Sequence, residues 1–176
     1  MSKKNNSLSY NCCNWCCWWK WCPAPPPPTT ACQATANLVE NGDFETDNGW
    51  SRVGDVTFND SEKFSQEQIA VFRGTSSIYQ EVVIPLGCPL QLSFAAKSTR
   101  GTSQVTKVSI NFFNDDTPLE DSFLREFQPA SNDYTTFLYA VDIPENANKV
   151  VIKFENNIQG SGPGNELTLD LVVLKV

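Results

Sequence analysis

From residue 37 onward, apolar and polar positions alternate with a period of two, the pattern of half-buried β-strands. Val108, Ile110 and Phe112 alternate with Ser109, Asn111 and Phe113. Leu90, Leu92, Phe94 and Ala96 alternate with Gln91, Ser93, Ala95 and Lys97. Phe137, Tyr139, Val141 and Ile143 alternate with Thr136, Leu138, Ala140 and Asp142. Val150, Ile152 and Phe154 are interleaved with Val151, Lys153 and Glu155; Leu167, Leu169, Leu171 and Val173 with Thr168, Asp170, Val172 and Leu174. Further strands are predicted over 37–39, 53–58, 68–72 and 78–84. Between them stand Asn41-Gly42, Asn48-Gly49, Leu86-Gly87, Asn114-Asp115-Asp116, Pro144 and the glycine-rich stretch 160–164. These residues offer positive φ, a side-chain-capped turn or a fixed φ. No helix of more than two turns is predicted. Eight or nine short strands in about 140 residues predict an all-β fold, a two-sheet antiparallel jelly-roll sandwich. Alternation alone leaves the strand order open.

The first 36 residues break this pattern. Six of the seven cysteines lie there: Cys12, Cys13, Cys16, Cys17, Cys22 and Cys32. So do four of the five tryptophans (Trp15, Trp18, Trp19 and Trp21), Pro23 and an unbroken proline run over 25–28. The chain therefore divides into a Cys/Trp-rich and Pro-rich N-terminal connector arm, 1–36, and a β-jelly-roll domain, 37–176. Thirteen basic against twenty acidic residues give a net charge of −7. That balance argues against nucleic acid or anionic lipid as partner, because no basic stripe is present to displace counterions. The absence of histidine removes Ser-His-Asp and Cys-His catalysis, histidine metal sites and histidine pH switching. No apolar run approaches the ~20 residues of a transmembrane helix, so no membrane insertion is expected. Residues 1–22 start with Lys3 and Lys4 but lack the apolar stretch of roughly 7–15 residues that marks a secretory signal.

Residues 37–45, Asn-Leu-Val-Glu-Asn-Gly-Asp-Phe-Glu, followed by Gly49-Trp50, resemble the opening of galactose-binding-like jelly rolls. These include the carbohydrate-binding modules that ride on xylanases and glucanases. Residues 74–98 fit as well: a Gly-x-x-Ser turn, a strand ending Gln-Glu-Val-Val-Ile, a glycine turn, then Leu-x-Leu-Ser-Phe-Ala-Ala-Lys. The closing Leu-Asp-x-Val-x-Leu of residues 169–174 is similar to their last strand, and the same pattern looks like a domain that flanks collagen-like repeats in spore-forming Firmicutes. This resemblance implies a structural calcium between the first and last strands, with Glu45 and Asp170 at ligand positions and Asp43 as a weaker match. Oxygen ligands suit that hard cation; otherwise Glu45 caps a turn and Asp170 is a solvated strand position. Sugar binding requires exposed aromatic platforms, and Trp50, Phe72, Tyr79, Phe113 and Tyr134 are the candidates; packing into the core is the competing role for Trp50. Carboxylates at Asp115-Asp116 and Glu120-Asp121 would be needed for two-carboxylate glycoside hydrolysis, but they fall in expected loops. No catalytic residue is assigned and no enzymatic activity is expected.

The arm admits three readings. Cys13-x-x-Cys16 with Cys17, Cys22 or Cys32 has thiolate spacing for a metal or iron–sulfur site, although no second Cys-x-x-Cys follows. A redox site on the same pair needs a helix N-terminus, which an all-β body does not supply. The third is intermolecular disulfide crosslinking. Neighbouring cysteines rarely meet disulfide geometry with each other, and seven is an odd number, so one chain alone cannot pair every thiol. An arm thiol reaching Cys88, in the expected turn Leu86-Gly87-Cys88-Pro89, of a neighbouring copy would make a head-to-tail contact that propagates. The prolines would act as a stiff spacer, and the four arm tryptophans would anchor against the neighbour. Paired cysteines in a short arm resemble the N-terminal connectors of bacterial endospore appendage subunits. The expectation is a structural, self-assembling subunit of an extracellular or spore-surface fibre, its partners copies of itself and other spore-surface proteins. It would sit on the spore surface or exosporium without a classical signal peptide. The alternative is a carbohydrate-binding, adhesive jelly roll with an anchoring arm and a glycan as partner.

Overall fold

The computed structural model describes residue 32 and residues 36–59, 68–99, 106–131, 133–157 and 166–176. Among these, eight strands form: β1 (Ser51–Asn59), β2 (Ile69–Val83), β3 (Leu90–Ser98), β4 (Thr106–Asn114), β5 (Thr117–Phe127), β6 (Thr135–Val141), β7 (Lys149–Asn157) and β8 (Glu166–Lys175). They hydrogen-bond in the order β5-β4-β7-β2-β8-β3-β6, and β1 pairs with β2 outside that path. Every pairing is antiparallel. The expected turn at 160–164 lies outside the described residues.

The order becomes a sandwich through β2. Residues Ala70–Arg73 of β2 pair with β8, whereas Thr75–Val83 pair with β7. The break falls at Gly74 (φ 60), opposite Gly54 of β1 (φ 80), where the β1–β2 register shifts. A Cβ on Gly54 would stand 2.7 Å from the Thr75 carbonyl oxygen, so this bulge needs glycine in both conformation and space. One long strand thus serves two layers. The first contains β5, β4, β7 and the second half of β2; the other contains β6, β3, β8 and the first half of β2. In a flat sheet β7 and β3 would lie three strand spacings, about 14 Å, apart. Instead the rings of Phe154 on β7 and Phe94 on β3 meet at 4.9 Å. Phe123 on β5 and Tyr139 on β6 meet at 5.7 Å, joining the two far ends. Ile78, Leu92, Phe94, Ile110, Ile152, Phe154, Leu167 and Leu169 fill the space between the layers and are buried.

Three strand expectations are corrected. The predicted strands 68–72 and 78–84 are one strand, because Gly74 bends β2 rather than turning the chain. Glu120-Asp121, expected in a loop, lie instead on β5. Residues 37–39 join no strand; they are tied to β8 by the bond from Leu38 N to Leu174 O, 2.8 Å. The expectation for two cysteines is also corrected. Cys32 and Cys88 form a disulfide within the chain, with Cα atoms 5.4 Å apart. Cys88 is fully buried, so its sulfur faces its own chain rather than a neighbour, and neither residue is left as an intermolecular linker. Cys12, Cys13, Cys16, Cys17, Cys22, Trp15, Trp18, Trp19 and Trp21 lie outside the described residues.

Candidate functional site

The five candidate platform aromatics separate. Trp50 and Phe72 belong to the core and are corrected as binding residues. Trp50 is 5% exposed and Phe72 not at all. The Trp50 ring packs against Phe44 at 5.7 Å and Phe154 at 6.2 Å, and its Nε1 donates to the Asn41 carbonyl at 2.9 Å. Phe72 lies on the inner face of β2 among the clustered core residues. Tyr134 precedes β6 at the other layer, with Lys97 Nζ 5.3 Å from its ring centre. Tyr79 and Phe113 remain, both partly exposed and both on the outer face of the β5-β4-β7-β2 layer.

Register shows what surrounds Tyr79. Ser51 on β1 stands opposite Tyr79, Tyr79 opposite Lys153 on β7, Lys153 opposite Ser109 on β4, and Ser109 opposite Leu124 on β5. This row crosses five strands, four spacings or about 19 Å. One residue pair along, Glu81, Val151, Asn111 and Ser122 form the next row. Leu124 is 50% exposed and Val53, at the β1 end, 56%. The face therefore offers an aromatic ring, apolar patches and hydroxyl and amide groups along strands of fixed position. Its cations are matched by carboxylates. Lys153 Nζ lies 2.7 Å from Glu155 Oε1 and Lys107 Nζ 3.3 Å from Glu126 Oε1.

At one end of the face the β4–β5 turn carries Asp115 (φ 52) and Asp116. Asn148 brackets Asp115, accepting from its N–H at 2.8 Å and donating to its Oδ1 at 2.7 Å. Lys149 Nζ reaches Asp116 Oδ1 at 2.7 Å and Glu81 Oε2 at 3.8 Å, and stands 5.4 Å from the Phe113 ring centre. The Lys149 hydrogen bond, then its charge, hold the Asp116 carboxyl below its usual range. The same hydrogen bond raises Lys149 against the opposing effect of burial, with the charges of Asp116, Glu81 and Asp115 adding to it. Val83, Asp115, Asp116, Asn148 and Lys149 line an open cleft of ≈ 360 Å³. These carboxylates are engaged in a turn and an ion pair rather than facing one another across a cleft. On the opposite edge, burial raises the Tyr139 hydroxyl above its ordinary value, with Arg125 acting against it.

Glu45 is exposed, Asp43 is half-buried and Asp170 is buried on β8, where its Oδ1 accepts from Leu171 N at 2.7 Å. Among the described residues no three of His, Cys, Asp and Glu stand together as a metal-binding group. Nor, among the described residues, is any helix long and apolar enough to cross a membrane.

No family model and no curated relative matches the chain. Solved structures do. The enzymatically active domain of bacteriophage CBA120 tailspike protein 4 superposes with a TM-score of 0.64 at 21% identity over 79% of this chain. This chain spans only 21% of that one, about a fifth of its length. Family 16 Carbohydrate Binding Module-2 superposes with a TM-score of 0.59 at 14% identity, covering 80% of this chain and 100% of that one. TmCBM61, solved in complex with β-1,4-galactotriose, gives 0.55 at 15% identity, covering 80% and 98%. At such identities the likeness establishes the fold. The body is a jelly roll of the kind found in carbohydrate-binding modules.

Proposed function

We propose that the body is a carbohydrate-binding domain whose binding face is the outer face of the β5-β4-β7-β2 layer, with Tyr79 as its stacking platform. The row Ser51–Tyr79–Lys153–Ser109–Leu124 carries this reading. A sugar ring has an apolar face and an equatorial rim of hydroxyls. Tyr79 supplies the aromatic surface for the first, and Ser51, Ser109 and Lys153 supply partners for the second. The carbohydrate-binding modules that share the fold support this reading. The role is one of binding rather than catalysis. The test is affinity electrophoresis of the full chain through gels loaded with soluble plant and bacterial polysaccharides. Wild type should be retarded by at least one, and Tyr79→Ala should bind about tenfold more weakly, a loss of about 1.4 kcal/mol, while keeping its far-UV spectrum. Retardation unchanged by Tyr79→Ala would refute the assignment of the face, and no retardation by any polysaccharide would refute the function.

A second reading concerns the arm. With Cys32 and Cys88 joined, Cys12, Cys13, Cys16, Cys17 and Cys22 remain, an odd set that cannot pair completely within one chain. This favours covalent linkage between copies, in a fibre or layer at a spore or other extracellular surface where disulfides persist. Matched reducing and non-reducing gels test it: a reductant-sensitive ladder is expected, and a monomer indifferent to reductant would overturn it.

A further inference from the structure

Three strands among the described residues lie at sheet edges: β5 and β6 end the hydrogen-bonded path, and β1 pairs with β2 alone. An edge strand presents unpaired N–H and C=O groups and invites a further strand. Two of the three carry features that discourage such pairing. β5 has Pro118, the charges of Glu120, Asp121, Arg125 and Glu126, and a register shift against β4 between Asn111 and Phe113. β1 has Arg52, Asp55 and the bulge at Gly54. β6 has none of these. Its seven residues, Thr135-Thr136-Phe137-Leu138-Tyr139-Ala140-Val141, hold no charge, proline or glycine, and they pair with β3 without a register shift. Thr, Phe, Tyr and Val favour the strand. β6 is thus a regular, uncharged template in a chain of net charge −7.

Burial shows that this edge is open. Thr136, Leu138 and Ala140 on the outer face are exposed, Leu138 by 61%. Phe137 and Tyr139 point inward, their ring centres 5.2 Å from that of Phe94 and 5.7 Å from that of Phe123, yet both stay half-buried. A strand laid antiparallel along β6 would take up the outward backbone groups and cover the open sides of both rings. A second copy of β6 has the matching pattern. Paired about a two-fold axis at Leu138, all seven residues are used: Thr135 faces Val141, Thr136 faces Ala140, Phe137 faces Tyr139 and Leu138 faces Leu138. Aromatic and apolar cross-strand pairs of this kind stabilise a ladder, and no carboxylate meets another within it. The pairing is isologous, so it consumes both edges and stops at two copies. The charges on β5 and β1 oppose growth from the remaining edges.

We propose that β6 is a dimerisation edge, joining two copies of this chain by antiparallel pairing centred on Leu138. One seven-residue ladder is small beside a standard interface of about 800 Å² per partner. The dimer is therefore weak, and linkage through the arm would hold it by raising the local concentration of copies. The experiment is sedimentation of the full chain with Cys12, Cys13, Cys16, Cys17 and Cys22 each replaced by serine, which reads only noncovalent association and keeps the Cys32–Cys88 bond. A dimer whose fraction rises with concentration is expected. Leu138→Lys and Leu138→Glu should each sediment as monomer, because residue 138 meets its own copy and like charges then stand opposite. An equimolar mixture of the two variants should restore the dimer. A wild-type monomer at every concentration would overturn the proposal, as would a dimer that either variant retains or a mixture that stays monomeric. If a variant fails to fold, hydrogen exchange of the chain with Leu138 intact decides. Its β6 amides should exchange more slowly as concentration rises while those of β5 do not, and β6 exchange independent of concentration would overturn the pairing. Neither readout involves carbohydrate, so this proposal and the proposed function fail separately.

Discussion

Breaking the bond between Cys32 and Cys88 should destabilise the body while leaving it monomeric with respect to those two residues. The cysteines are 56 residues apart in sequence. Closing a loop of that length removes from the unfolded chain an entropy worth about 4 kcal/mol at 25 °C in the loop-closure account. For a domain of this size that corresponds to roughly 10 °C in the melting midpoint. Cys32→Ser is the suitable perturbation. It leaves Cys88 as a buried thiol, which behaves as a small apolar group, whereas serine at position 88 would place a polar hydroxyl at a fully buried position. The assay has two parts. Peptide mapping after alkylation without reductant should recover the Cys32 and Cys88 peptides joined, from monomer as well as from any covalent oligomer. Melting of wild type with and without reductant should then show the shift, and Cys32→Ser should show the lower midpoint in both conditions. A Cys88 peptide found alkylated, or joined to an arm cysteine of another chain, would refute the intrachain assignment. A shift of less than about 1 kcal/mol would refute the entropic reasoning.

Phe94 packs against Phe127 and Phe154 of the opposite layer and beside Phe137 and Tyr139 of its own. Phe94→Ala should cost about 4 kcal/mol in urea unfolding, whereas Leu138→Ala, 61% exposed, should cost less than about 0.5 kcal/mol; similar losses would contradict the layer packing. The Lys149–Asp116 pair sets a pH window. Asp116 is lowered in the folded state, so its contribution is present above the ordinary carboxylate range and fades as pH falls through the lowered value. Lys149 is raised, so its contribution holds below the ordinary lysine range and fades as pH rises through the raised value. Asp116→Asn should flatten both limbs of the stability–pH curve, and an unchanged curve would show that the pair contributes nothing.

The all-β class was legible because each inner strand exposes one face of its alternation to the core. In β4, Val108, Ile110 and Phe112 are buried while Lys107, Ser109 and Phe113 are not. β5 was not legible because it is an edge strand with little to bury. Along its eleven residues only Phe123 and Phe127 are buried, four apart, and Pro118 sits where an edge tolerates it. β2 read as two strands because Arg73-Gly74-Thr75 has the composition of a turn, yet Gly74 pivots a continuous strand between layers. Tyr79 was identifiable as an aromatic on a strand. Its companions Ser51, Lys153, Ser109 and Leu124 were not, because a cross-strand row depends on register between segments far apart in sequence. Trp50 and Phe72 show the converse limit. Residue type marks an aromatic as useful for a platform or a core, and only the face of the strand decides which. The disulfide needed the fold as well, since any of six arm cysteines could have been drawn to Cys88.

Backbone amide shift mapping during titration with an oligosaccharide of the polysaccharide that retards the protein tests the binding face most directly. The perturbed amides should concentrate at Ser51, Tyr79, Ser109, Leu124 and Lys153. Perturbations confined to the other layer, around Lys97 and Tyr134, would contradict it.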